Sequence, residues 1–459
     1  MRSTDNEADV ERNQLITRCE VWTLFRPKIT LSIIKNYLPV SDYLRKLIMK
    51  KRRERFFTIF TLGLLSAVGP FSIDMYLPGF PDIARELHTT IAHITLSITS
   101  FFIGISVGQL IYGPLLDKYG RKKPLYIGLG VYLLASLACA YAPSADVLIG
   151  IRFLQALGAC AGMVAARALV RDIFPVRENA KVFSLLMLVI AVSPIVAPTL
   201  GGYLTALFGW QSIFMVLFGI GVIAFVFTYF FLPTGNEPDT ALSLLPKPII
   251  KSFLEVIRVP QFYTYAFAGA LASSGLYAYV AGSPFVFMEL YHVSEKQYGW
   301  IFATIAMGLI SASQVNTLLL RKYTSEQITR VTLFCQCLTG IMLVAGTWFN
   351  LLGLYSTIFL ILIFLSTQGF AFPNTSALSL ALFTRNAGTA SALMGALQLG
   401  IGAVATAFVS VMNDKTAMPM AGVMCICAMS SFTVLLMGRR AIKKAGKATD
   451  KPAAVYESL

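Results

Sequence analysis

Two ionisable side chains stand where a lipid-embedded chain has little reason to keep them, Asp74 and Arg152. The 459 residues include 38 lysines and arginines and 23 aspartates and glutamates, and almost all of these lie between long apolar runs or at their edges. Asp74 sits about five residues before the end of one predicted span, and Arg152 about six residues into another. At about 1.5 Å of rise per residue the two fall at similar depth, so they can pair. A charge inside a bilayer is costly and must face protein or a water-filled cavity. Burial disfavours an ionised carboxylate and a nearby cation favours it, so a proton and a cationic ligand would compete for Asp74. That competition is the basis of exchange transport, with Asp74 and Arg152 as its coupling groups. The plainer alternative is that Asp74 neutralises Arg152 and merely holds two helices together.

The elements that must position these residues follow from composition. The chain is 56% hydrophobic and 13% charged, against about 25% charged in an ordinary soluble domain, which excludes a soluble enzyme and a disordered tail. A bilayer core needs about 20 apolar residues in a helix. Twelve such runs occur, at 56–79, 93–116, 124–142, 146–170, 181–206, 212–232, 260–287, 297–319, 328–348, 352–373, 387–411 and 418–437. The net charge of +15 invites a nucleic-acid reading, but +6 of it lies in residues 1–55 and +4 in 439–459, with no basic patch interleaved with aromatics, so no nucleic-acid partner is expected. Alternate loops carry fourteen basic residues against three, which places both termini and the middle loop in the cytoplasm. The segment 233–259, with Pro233, Gly235, Pro238, Pro246 and Pro248, reads as a cytoplasmic linker between six-span halves at 56–232 and 260–437, flanked by basic extensions at 1–55 and 438–459. Two readings of the first 48 residues stay open, a basic amphipathic helix over 31–48 on the membrane surface or a translation start at Met49. No nucleotide-binding glycine loop appears, so transport would draw on an ion gradient. Cys335 with Cys337 and Cys425 with Cys427 read as small helix filler rather than metal ligands, and no metal or cofactor is expected.

Between the second and third runs, Gly113, Asp117, Gly120, Arg121, Lys122 and Lys123 form a glycine, acid and basic cluster. The glycines would permit close helix contact and a tight turn, and Asp117 and Arg121 can pair and separate as the halves rock. This loop resembles the signature loop of the major facilitator superfamily. Asp172, after span four, matches the acid that family members pair with the loop arginine. Arg385, Asn386, Gly388 and Thr389 would present the start of span eleven to Asp117, latching the cytoplasmic side in an outward-open state. Arg152 and Gln155 resemble the arginine motif of span four, whereas Arg167, a turn from the cytoplasmic end, is expected to snorkel. In span five, Ser193, Pro194, Ala197, Pro198, Gly201 and Gly202 resemble the family's antiporter motif, with two leading glycines replaced.

The match narrows further to the Bcr/CflA group of drug:proton antiporters. It rests on Asp74 to Pro78, on Ser283 to Phe285, on Phe372, Pro373 and Asn374 closing span ten, and on Gly388 to Gln398. It covers about 50–440. The resemblance implies an all-α, twelve-span fold of two pseudo-symmetric halves in a bacterial inner membrane. It also implies a monomeric, non-enzymatic exporter of small amphipathic compounds driven by protons through alternating access. Tyr76, Gln109, Gln155, Tyr277, Asn374 and Gln398 are expected to face the substrate cavity. Competing readings are a dedicated metabolite or siderophore exporter on the same scaffold, and a proton symporter for uptake.

Overall fold

Every long apolar run becomes a helix. The computed structural model describes the backbone of residues 38–233, 235, 238, 246–383, 387–412 and 414–449, with side chains from residue 53 onward except 176, 177, 180, 246 and 443–449. The first 37 residues, Arg385, Asn386 and the end of the chain lie outside the described residues, as does most of 234–245. The chain divides into two units, Met1–Phe60 and Thr61–Leu459. In the first, the described residues are helical and belong to α1 (Leu38–Asp74), which therefore includes the C-terminal part of the proposed surface helix.

All further elements belong to the second unit: α2 (Phe80–Glu86), α3 (Ile91–Tyr119), α4 (Lys122–Ala140), α5 (Ala145–Ile173), α6 (Val176–Phe208), α7 (Gln211–Phe231), α8 (Pro246–Ile257), α9 (Pro260–Pro284), α10 (Glu295–Leu319), α11 (Ser325–Trp348), α12 (Leu354–Leu380), α13 (Ala387–Val411) and α14 (Met418–Thr449). No strand occurs among the described residues. Among the described residues, eleven stretches are long and apolar enough to cross a membrane. The twelfth, α9, has the length but is rich in Ala, Gly, Ser and Tyr, and 18 of its 25 residues are buried, so it meets protein rather than lipid on most of its surface.

Helix starts follow from capping chemistry. Thr90 and Ser144 accept from the third backbone N–H of α3 and α5. Ser294 with Gln297, and Thr324 with Gln327, form reciprocal capping boxes on α10 and α11. Gly120 takes φ of 79°, in the left-handed region that glycine adopts without strain, and turns the chain from α3 into α4.

Small residues then set the packing. At Gly158 a Cβ would lie 2.5 Å from Tyr132 N, so α4 and α5 approach to backbone contact. α3 packs on α5, and α4 on α5 and α7; in the second half α9 packs on α12, α13 and α14, and α10 on α12. Two seams join the halves, α3 with α13 and α6 with α10.

Span ten runs on where the sequence closes it at Phe372–Asn374. α12 continues through Pro373 to Leu380; Asn374 Nδ2 and Thr375 Oγ1 donate to the carbonyls of Phe370 and Ala371, each at 2.8 Å, and a single proline is tolerated inside a membrane-spanning helix.

Candidate functional site

Arg152 is fully buried, yet no carboxylate meets it among the described residues. Its Nη2 donates to the carbonyl of Ser72 at 2.9 Å and its Nη1 to Gln155 Oε1 at 2.5 Å, while Nε has no partner. The guanidinium carbon lies 4.2 Å from the ring centre of Phe101, 4.8 Å from Tyr76 and 5.9 Å from Phe214. Aromatic faces thus supply the negative potential that a counter-ion would otherwise provide. Gln155 passes the network on to Ser136 at 2.8 Å, and Tyr132 bonds Ser72 at 2.8 Å.

The pairing of Asp74 with Arg152 is therefore corrected. Equal depth fixes the height of two residues but not their azimuth, and the carboxylate is directed elsewhere. Asp74, the last residue of α1, is 7% exposed and has no hydrogen bond or ion pair among the described residues. Tyr277, Tyr279 and Tyr298, from α9 and α10, lie within electrostatic range of it. Tyr279 is buried, and Tyr298 shares a 2.8 Å bond with Ser283. Arg152 still acts on this place indirectly, since Ser72 lies two residues before Asp74.

The loop network forms as the sequence predicts. Arg121 donates from Nε to Asp172 Oδ2 at 2.7 Å and from Nη1 to Asp117 Oδ1 at 2.5 Å. Burial of the guanidinium would lower its pKa, but the hydrogen bonds and charges of the two carboxylates outweigh that and raise it. Gly113 departs from expectation, because nothing lies within 4 Å of a Cβ built there; it lines open space rather than a close helix contact. That space is a cavity of about 530 Å³ at the Arg121 end, walled by α3, α5, α8 and α13, with Gly388 and Thr389 facing the network across it. Lys122 begins α4 beside the network.

At the opposite end of the molecule the halves touch. A Cβ at Gly299 would lie 2.9 Å from Pro198 O, and one at Gly202 would run into the carbonyl of Glu295. Thr199 Oγ1 donates to Gly299 O at 3.4 Å, so the seam runs along the span-five motif. Gly201 presses against Met75 O, next to Asp74. Pro194 and Pro198 both lie inside α6, which remains one helix. The protein is thus closed at the Glu295 end and open at the Arg121 end.

Of the six residues expected in the substrate cavity, only Gln109 lines it. Tyr76 and Gln155 pack into the Arg152 cage, and Ser97 donates to Tyr76 Oη at 3.2 Å. Asn374 donates to Asn316 Oδ1 at 2.7 Å inside the second half. Tyr277 lies tilted against Phe102, ring centres 4.7 Å apart, and covers Gly402, and Gln398 is buried on α13. Sequence reasoning missed Arg171 as a cavity residue and assigned Arg167 to the membrane edge, whereas both line the cavity. Their spacing of four on one helix face was the available signal.

Comparisons with known proteins agree with this architecture. The family model described as Major Facilitator Superfamily matches residues 62–407. The Bacillus subtilis (strain 168) protein named "Uncharacterized MFS-type transporter YdgK" is 34% identical over 82% of this chain and 94% of its own length. A Haemophilus influenzae bicyclomycin resistance protein homolog is 31% identical over 83% of this chain and 96% of that protein. A Pseudomonas aeruginosa chloramphenicol resistance protein is 30% identical over 79% and 86%. The crystal structure of a D-xylose-proton symporter superposes with a TM-score of 0.63, covering 82% of this chain and 98% of that one at 12% identity, a likeness of fold. With a matching family model over most of its length and relatives above 30% identity, the chain is a multi-pass membrane transporter of the Major Facilitator Superfamily.

Proposed function

We propose that the protein exports small amphipathic compounds from a bacterium in exchange for protons, with Asp74 as the proton carrier. One observation carries this reading: a buried carboxylate with no hydrogen bond or ion pair among the described residues ends α1 beside the seam between the halves, within electrostatic range of phenols of the opposite half. Such a group changes charge at the place where the halves must separate, so protonation and rocking act on the same contacts. Arg152 is a positioning residue in this scheme. It holds Ser72 O and hence the end of α1, and contributes a fixed positive charge to the first half.

The protein sits in the inner membrane as a monomer, with the Arg121 end and both termini in the cytoplasm as the basic loops direct. Residues 56–232 and 260–437 are the two halves and 233–259 their linker. In this arrangement the 530 Å³ cavity opens inward and the α6/α10 seam closes the outside, a loading state for export. Arg121, Asp117 and Asp172 stay joined on the first half and would engage the start of α13 when the inside closes. The names of the relatives make bicyclomycin and chloramphenicol the first compounds to test. Everted vesicles with an acidic lumen should accumulate chloramphenicol, and vesicles carrying Asp74→Asn should not. Accumulation only with an alkaline lumen would instead favour proton-coupled uptake.

A further inference from the structure

The inner cavity is unevenly charged. Arg121 uses up both of its carboxylates, Asp117 and Asp172. Arg167 and Arg171 line the same space with no ion pair among the described residues. Arg167 makes a single bond, from Nε to Met163 O at 3.3 Å, so its Nη groups remain available. The two arginines stand one turn apart on α5, close enough to repel each other, an arrangement that weakens a helix unless something neutralises it.

A third group points to what that is. Gln109 is 4% exposed, lines the cavity, and has no hydrogen-bond partner among the described residues. Its amide borders the cavity beside Gly395 of α13 and can bond a guest there. By position in their helices, Gln109 lies ten residues from the end of α3, Arg167 six from the end of α5 and Arg171 two. At about 1.5 Å per residue these donors descend into the cavity at roughly 15, 9 and 3 Å.

We infer that this ladder is an anion subsite, and that cargo enters headed by a carboxylate, phosphonate or similar group, with its apolar body against Ile249 and Phe253 of α8. The inference rests on the export reading and narrows its substrate class, from amphipathic compounds in general to neutral and anionic ones. A lipophilic cation would meet two unpaired arginines at the mouth, which oppose its entry. Forked guanidinium groups suit planar oxyanions.

The test uses the full chain in phosphatidylcholine proteoliposomes with an acidic lumen. Three probes are compared: carboxyfluorescein as the anion, rhodamine 6G as the cation and chloramphenicol as the neutral compound. Wild-type protein should take up carboxyfluorescein saturably and in preference to rhodamine 6G. In Arg167→Gln and Arg171→Gln the KM for carboxyfluorescein should rise roughly tenfold relative to that for chloramphenicol, the loss of one charge-assisted contact. Arg167→Lys and Arg171→Lys should keep most of the preference, since charge is retained while the fork is lost; these also cover the case in which a glutamine variant does not fold. A preference for rhodamine 6G, or an unchanged KM ratio in the glutamine variants, would overturn the inference. Competition from phosphatidylglycerol, seen as a carboxyfluorescein KM that climbs with its fraction in the vesicles, would assign the subsite to lipid headgroups and overturn the cargo assignment. Movement of chloramphenicol but not carboxyfluorescein sinks this inference alone, whereas movement of no probe sinks the export reading as well.

Discussion

The two halves share a fold and differ in what they bury. Inside the first lie a bare guanidinium caged by three rings and a carboxylate without a partner. Inside the second the buried polar groups are amides and hydroxyls. Gln336 donates to Ala272 O at 3.3 Å and Gln368 to Ser273 Oγ at 2.5 Å, each leaving its own oxygen unpaired, and Asn374 bonds Asn316. Burying an ion costs several kcal/mol even after relaxation, whereas an amide costs far less. Concentrating that cost in one half implies a division of labour. The first half holds the buried charged groups, the second holds the phenols, and both contribute glycines to the seam between them.

Substituting Arg152 should break this asymmetry most severely. Arg152→Met removes the side-chain donor to Gln155 Oε1 and to Ser72 O and frees the end of α1. The initial rate of chloramphenicol uptake in everted vesicles should fall ~100-fold, equivalent to about 3 kcal/mol, and its pH profile should shift, which a purely structural role would not produce. Next comes the seam. Gly201→Val drives a methyl into Met75 O, and Gly299→Val does the same from the second half against Pro198 O. Each should cost about 1–3 kcal/mol in thermal unfolding followed in detergent, while Gly113→Val, with open space around it, should cost much less. Arg121→Ala deprives Asp172 of its cation and should lower the unfolding temperature by an amount equivalent to about 1 kcal/mol. The smallest effect belongs to the neutral half. Gln368→Leu removes an orphaned acceptor together with its donor and should leave stability within ~1 kcal/mol and transport within about threefold. A large loss there would show that the second half also carries essential polar chemistry.

The twelve spans and the pair Asp117–Arg121 were legible in the sequence, because apolar length and pairs four apart are local signals. The contact between Arg121 and Asp172 came from the family resemblance rather than from spacing. What could not be read was azimuth. Asp74 and Arg152 share a depth, but the rotation of α1 and α5 turns one toward the seam and the other into the first half. The same loss explains why Tyr76, Gln155 and Asn374 sit in packed interiors while Gln109 reaches the cavity. Pro373 misled for a different reason, since a single missing donor does not end a membrane-spanning helix whose remaining backbone bonds continue to Leu380.

The central claim is that Asp74 alone exchanges its proton when cargo arrives. Purified protein in weakly buffered detergent, mixed with chloramphenicol near neutral pH, should release protons into the medium, and Asp74→Asn, folded and binding the compound, should release none. Undiminished release from Asp74→Asn would contradict the account and move the coupling to another group.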